Sequence, residues 1–427
     1  MSDRIKSFQT AYRNLDLLPL IEPRMLKDFR VDYGQAALAE LEQLIEDDDA
    51  QDGKTIFAGH RGCGKSTLLA EFGRQCQDRG FFSVFFSIAD SIEMSDVNHI
   101  TILFSIAVNL MAEAEKADVE ISEAAKQSFK HWFANKTQTQ VSDVGESSSL
   151  GFSFFKVIQN KLKAEATIRK EIKQEFERKV SELVAQLNAM AAAIQSATGK
   201  QVLVIIDDLD KLDLAVVREV YREHIKALFL PGFRIIYTTP VAALRDAPLR
   251  AMMTTETNDQ IVEMPVAKLY SKTESRSDEL QPLPKNRQTL CDILGKRIPA
   301  ELIEADIAED IVLKSGGVLR ELIRLANKCC RICLRKIRRE PDQLIKIDRA
   351  VFDQAVEDMR LDFETPLGKE VYKTLATTYD KLTLEDPKAQ PFLDLLHGLH
   401  ILEYRNGQIW YDLHPVVTDL MKLKKLI

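Results

Sequence analysis

One stretch constrains the fold of this chain more than any other: Gly59-His60-Arg61-Gly62-Cys63-Gly64-Lys65-Ser66-Thr67, entered from the apolar run Lys54-Thr55-Ile56-Phe57-Ala58 and left through Leu68, Leu69 and Phe72. The order is strand, glycine loop, helix, and the spacing G-x-x-x-x-G-K-[ST] gives each residue type a task. Glycines let backbone N–H groups turn inward around phosphate oxygens, and the helix that follows presents its positive end to them. Lys65 is expected to reach the β- and γ-phosphates, the Ser66 hydroxyl to ligate Mg²⁺, and the loop from Gly59 to Thr67 to cradle a nucleoside triphosphate.

A loop of this kind needs a parallel sheet, and further strands follow at intervals. The runs 81–88, 201–206, 233–237 and 260–264 are short and almost continuously apolar, which predicts strands buried on both faces between helices. The expected class is α/β: a parallel sheet with a phosphate loop, a helical insertion, an α-helical lid and a winged-helix-like end. The chain has 427 residues, more than one core usually supports, so several domains are expected. Our boundaries are 1–270 for the core, with the insertion at about 100–199, then 271–362 for the lid and 363–427 for the winged-helix-like part.

Within the insertion, 101–116 and 121–136 read as helices, 137–149 as a polar breaker, and 166–197 repeats apolar residues at helical spacing, as for a protruding hairpin or coiled-coil arm. Phe152, Phe154, Phe155, Val157 and Ile158 read as core packing in preference to a membrane-surface face. Ahead of the phosphate loop, 35–46 reads as a helix closed by the acidic loop 47–49. Beyond the Ser-, Glu- and Pro-rich linker 271–285 come four helical patterns, and at the end 401–404 and 408–411 form a hairpin turned by Asn406-Gly407.

Composition excludes several classes. The longest apolar runs are strand-length, so no membrane span is expected, and Met1-Ser2-Asp3-Arg4 opens no apolar signal core, so a cytoplasmic location is expected. Cys329, Cys330 and Cys333 share a helical pattern without a fourth ligand nearby, and read as small buried residues in preference to a zinc site. The net charge of −7 gives no global attraction to nucleic acid.

The strand 201–206 ends in Asp207-Asp208-Leu209-Asp210-Lys211. A triphosphate in the loop needs a metal, and an apolar strand ending in acids supplies its ligands: Asp207 orients Mg²⁺ and Asp208 aligns the attacking water. Asp210 reads as facing solvent or capping the next helix.

Loop and acidic strand together resemble the AAA+ and STAND branch of P-loop ATPases, over about residues 25–425, the insertion fitting least. That resemblance implies an ATPase using ATP/ADP and Mg²⁺. It implies that Thr238, or Thr239, senses the γ-phosphate from the end of the next strand. The lid sequence Ser315-Gly316-Gly317-Val318-Leu319-Arg320 is similar to the family's Gly-x-x-Arg motif, which implies that Arg320 reaches the phosphates. In Tyr411-Asp412-Leu413-His414-Pro415, His414 stands where STAND ATPases carry a Met-His-Asp histidine that contacts the diphosphate, although the triplet here is Leu-His-Pro. Many AAA+ motors have Glu at the position of Asp208, and the shorter side chain implies slow turnover.

The same resemblance implies a nucleotide-dependent oligomer with an arginine supplied between subunits, from Arg218, Arg222, Arg245 or Arg250. It also implies a separate effector or sensor partner, as in bacterial defence or signalling operons. An alternative is a DNA-associated ATPase similar to origin-recognition or transposition regulators. It would grip nucleic acid by the basic stripe Arg320, Arg324, Lys328, Arg331, Arg335 and Arg338, with Lys336 and Arg339 beside it. A third reading resembles KAP-type NTPases, which carry membrane helices between the two nucleotide motifs; the insertion has that location without the spans.

Overall fold

The computed structural model describes residues 2–46, 52–139, 154–276, 282–340, 343–383, 389–405 and 407–427. The acidic loop 47–49, most of the breaker 137–149, Phe152, part of the linker 271–285 and Asn406 lie outside them. The chain packs as two compact units, one made of Ala36–Ala58 and Leu68–Glu263, the other of Met1–Gln35, Gly59–Thr67 and Met264–Ile427. This division departs from boundaries at 270 and 362. The phosphate loop and the first 35 residues pack with the C-terminal half, because lid side chains close over the loop's glycines.

The sheet consists of β1 (Lys54–Gly59), β2 (Phe81–Ser87), β3 (Gln201–Asp207), β4 (Arg234–Pro240) and β5 (Ile261–Met264), in the order β2-β3-β4-β1-β5. It is a parallel sheet. β3 pairs with β2 from Phe81 opposite Gln201 to Ser87 opposite Asp207, and with β4 from Leu203 opposite Arg234 to Ile206 opposite Tyr237. β1 and β4 are buried at every position, as parallel strands covered on both faces must be. β4 stands between the phosphate-loop strand and the acidic strand, and it runs on through Thr238 and Thr239 instead of stopping before them.

The insertion is packed, not protruding. Helix His99–Lys116 is buried nearly all round and starts in a capping box of Asn98 and Thr101. The expected arm breaks after Phe176 into Ala166–Phe176 and Val180–Thr198, both packed on that helix through Ile168, Ile172, Leu183, Leu187 and Ile194. Phe133 lies edge-on to Phe155 with ring centroids 5.5 Å apart, and Phe154 and Ile158 are buried beside it. These side chains lie in the core, as the sequence indicated. Among the described residues no helix is long and apolar enough to cross a membrane.

In the other unit, helix Ser2–Asn14 lies against helix Leu319–Arg339, whose Asn327 donates to the Leu15 carbonyl at 3.1 Å. Helix Leu319–Arg339 has one apolar face, and Cys329, Cys330 and Cys333 belong to it. Burial pushes the Cys330 and Cys333 thiols up to about 12, so they pack as small apolar groups. Helix Arg349–Glu364 packs against Leu319–Arg339 and Pro415–Leu423. The antiparallel hairpin of β6 (Ile401–Arg405) and β7 (Ile409–Leu413) completes the winged-helix-like part.

Candidate nucleotide site

The phosphate-loop half is built on one unit. Helix Lys65–Asp78 begins at the motif lysine, so its first free N–H groups follow the loop directly. The Lys65 ammonium is buried and donates to the carbonyls of His60 at 2.7 Å and Gly59 at 3.1 Å. Thr67 Oγ1 accepts from the Leu20 N–H at 3.0 Å, which ties the N-terminal segment to the loop. Ser66 is half-buried in the first turn.

The lid meets this loop at Gly62. Its carbonyl accepts from the Arg320 N–H at 3.0 Å, and a Cβ on Gly62, whose φ is +76°, would lie 2.4 Å from the Arg320 Cβ. Glycine is therefore required there by the approach of the lid helix as well as by the backbone. His60 is buried, and its Nε2 accepts from the Glu403 N–H of β6 at 2.9 Å. The loop thus touches the lid on one side and the hairpin on the other. Tyr404, stacked on Trp410 at 4.7 Å, donates its hydroxyl to the Gly316 carbonyl at 2.9 Å.

His414 takes a different place from the one its sequence position implies. It is fully buried, lies 4.6 Å from the Phe363 ring in a stacked pair, and caps helix Pro415–Leu423 by accepting the Val416 N–H on Nδ1. Burial, then the neighbouring His400, pushes its pKa down to about 3, so the ring is a neutral cap within the core. The contact from the hairpin to the loop is made by a main-chain N–H meeting His60, not by His414.

The acidic half is built on the other unit. Asp207 ends β3 and is buried; Asp208 follows with φ +69°, a left-handed backbone that aspartate tolerates better than most residues. Asp208 Oδ2 accepts from the Ser87 hydroxyl at 2.7 Å, and Oδ1 lies 2.5 Å from the Lys211 ammonium. Asp210 is not at the surface: it is 4% exposed, and one carboxylate oxygen from each of Asp207, Asp208 and Asp210 lies within 4.8 Å of the other two. Three clustered carboxylates are hard oxygen donors of the kind Mg²⁺ takes.

Thr238 is buried, donating to the Ile206 carbonyl at 3.0 Å and accepting from the Leu209 N–H at 3.1 Å. Its hydroxyl thereby clamps the two ends of the Asp207-Asp208 turn. Lys211 lies within the acidic run 207–211, and its i,i+3 spacing from Asp208 is a readable signal. Ser87, 121 residues from Asp208, has only its place at the end of the neighbouring strand.

Of the four arginines considered as inter-subunit fingers, Arg218 pairs with Asp246 at 2.7 Å, Arg245 with Glu263 at 2.7 Å, and Arg250 lies 3.9 Å from Glu263. Arg222 is exposed on the π-turn Glu219–Glu223. The basic stripe is not continuous either. Arg324 pairs with Glu321 and Asp362 and Lys328 with Asp362, leaving Arg331, Arg335, Arg338 and Arg339 exposed at the far end.

A parallel sheet, a glycine-rich loop leading into a helix, and an acidic strand two places away define a P-loop NTPase. Residues 38–237 match the model of the KAP family P-loop domain. The crystal structure of Cdc6p from Pyrobaculum aerophilum is similar over 93% of this chain and 98% of that one, at 14% identity and a TM-score of 0.38. The structure of Drosophila ORC bound to DNA is similar over 98% of this chain and 92% of that one, at 12% identity and a TM-score of 0.39. No curated protein matches the chain.

Proposed function

We propose that this chain is an ATP-binding, slowly hydrolysing molecular switch that assembles with itself and signals to a separate effector or sensor protein, in the manner of bacterial defence ATPases. The observation that carries the reading is the hydrogen bond from the Arg320 N–H to the Gly62 carbonyl. A loop that must wrap phosphate is bonded to the first turn of the lid, so phosphate occupancy and lid position are coupled.

In this reading the loop from Gly59 to Thr67 holds ATP or ADP, Lys65 contacts the β- and γ-phosphates, and Arg320 adds a guanidinium from the lid. Ser66 and Asp207, with Asp210 beside it, would hold Mg²⁺, which supplies charge neutralisation of the phosphates. Asp208 orients the attacking water. Its carboxylate is already engaged by Ser87 and Lys211, which favours slow turnover because those contacts must be shared or broken before it can hold a water in line. Thr238 acts through the turn it clamps.

The test is to purify the full chain, assay bound nucleotide, and measure its mass with ADP and with ATP. A monomer with ADP that assembles with ATP supports the switch; one unchanged mass in both sinks it. Asp208→Ala is expected to keep nucleotide affinity and lose turnover by about 100-fold or more, the usual scale for one acid–base group. Turnover at the wild-type rate would remove Asp208 from the water-activating role.

The exposed group Arg331, Arg335, Arg338 and Arg339 favours a second reading, a DNA-associated ATPase. It predicts duplex binding that weakens steeply with salt and is reduced about tenfold or more in Arg331→Glu/Arg335→Glu. Fluorescence anisotropy with duplex DNA at low salt decides it, and no binding there rejects it.

A further inference from the structure

We infer that His60 is a positioning residue that latches the winged-helix-like hairpin onto the phosphate loop, and that breaking this latch is the step that releases bound nucleotide. The inference rests on the nucleotide-binding reading above.

The hairpin explains why a latch is needed. In the β6–β7 register Glu403 stands opposite Tyr411. The Tyr411 N–H leaves the hairpin to reach the Leu382 carbonyl at 3.2 Å, and the Glu403 N–H leaves it to reach His60 Nε2 at 2.9 Å. One outward N–H on each strand is thus met by a group outside the hairpin, in one case an imidazole from the phosphate loop. Glu403 is buried, so its N–H without an acceptor would bear the full cost of desolvation. Its side chain is also fixed, with Oε1 accepting from Arg405 Nε at 3.1 Å.

The other end of the same residue faces the chemistry. The His60 carbonyl accepts from the Lys65 ammonium at 2.7 Å. Phosphate oxygens compete for that ammonium, so phosphate arriving or leaving changes the hold on the His60 peptide, and the ring moves with its peptide. The lid shares the hairpin through Tyr404 and Gly316. One residue therefore joins lysine, loop and hairpin, with its Nε2 acting as acceptor from the neutral ring.

The experiment uses the full chain with His60→Ala and His60→Gln, whose Oε1 stands where Nε2 does. Hydrogen exchange of residues 401–405 is followed without nucleotide, and release of a fluorescent ADP analogue is timed by displacement. His60→Ala is expected to speed both by about tenfold or more, the effect of orphaning one buried donor, and His60→Gln to restore both to within about threefold. Unchanged exchange at 401–405 in His60→Ala overturns the latch, and faster exchange with unchanged release overturns its control of nucleotide. A wild-type chain that takes up no ADP analogue refutes the nucleotide reading instead, and the exchange measurement then decides the latch by itself.

Discussion

Lys65→Ala is expected to abolish nucleotide binding, lowering affinity by roughly 10²–10⁴-fold. Two separate losses lead to that figure. An ammonium on the β- and γ-phosphates makes charge-assisted hydrogen bonds worth roughly 1.5–3 kcal/mol each, and two of them correspond to this range. The truncation also removes the donor that holds the buried carbonyls of Gly59 and His60, so the loop loses part of its own shape. Isothermal titration with ADP and ATP, beside circular dichroism to show a folded chain, gives the answer. Wild-type affinity in a folded Lys65→Ala protein would contradict the assignment of this loop.

Gly317→Ala is expected to destabilise the lid by about 3 kcal/mol or more. The cause is steric and local to one unit. Gly317 has φ +84°, and a Cβ there would sit 1.8 Å from the Ala267 carbonyl oxygen and 2.8 Å from its carbon. Both are backbone atoms, so no rotamer change relieves the clash. The chain must instead break the Ala267 N–H bond to the Gly317 carbonyl and shift the start of helix Leu319–Arg339. That helix start bonds Gly62, so nucleotide affinity should fall with stability. A calorimetric scan should show the melting of this unit lowered by roughly 6–12 °C, from 2–4 °C per kcal/mol at this size. A shift under about 2 °C would mean that the lid tolerates a Cβ where the geometry leaves no room.

The legible parts of this protein are those written in local pattern. Strand runs such as 201–206 and helices such as Gln35–Glu46 are read from neighbours a few residues apart, where burial on one face or two leaves a period in the sequence. Lys65 stands out as a candidate because its loop motif is contiguous, and Asp207 because an apolar strand ending in acid is equally local. The burial of Asp210 was not legible, since a charged residue after a strand is usually solvated and only the packing of the turn turns it inward. The helices after Glu165 carried the right period, but a period cannot say whether the partner face belongs to a protruding arm or to the helix they in fact cover.

The sequence by itself determined that this chain has a phosphate-binding loop on a parallel α/β sheet, because that claim rests on a contiguous motif and on the two-sided burial of short strands. Tertiary structure alone decided what holds the loop. His60 and Glu403 are 343 residues apart, and Gly62 meets Arg320 across more than half the chain. Such pairings depend on which donors a folded hairpin and lid leave without a partner. Burial then makes each of those donors costly to leave unmet, and no local pattern records which acceptor will answer it.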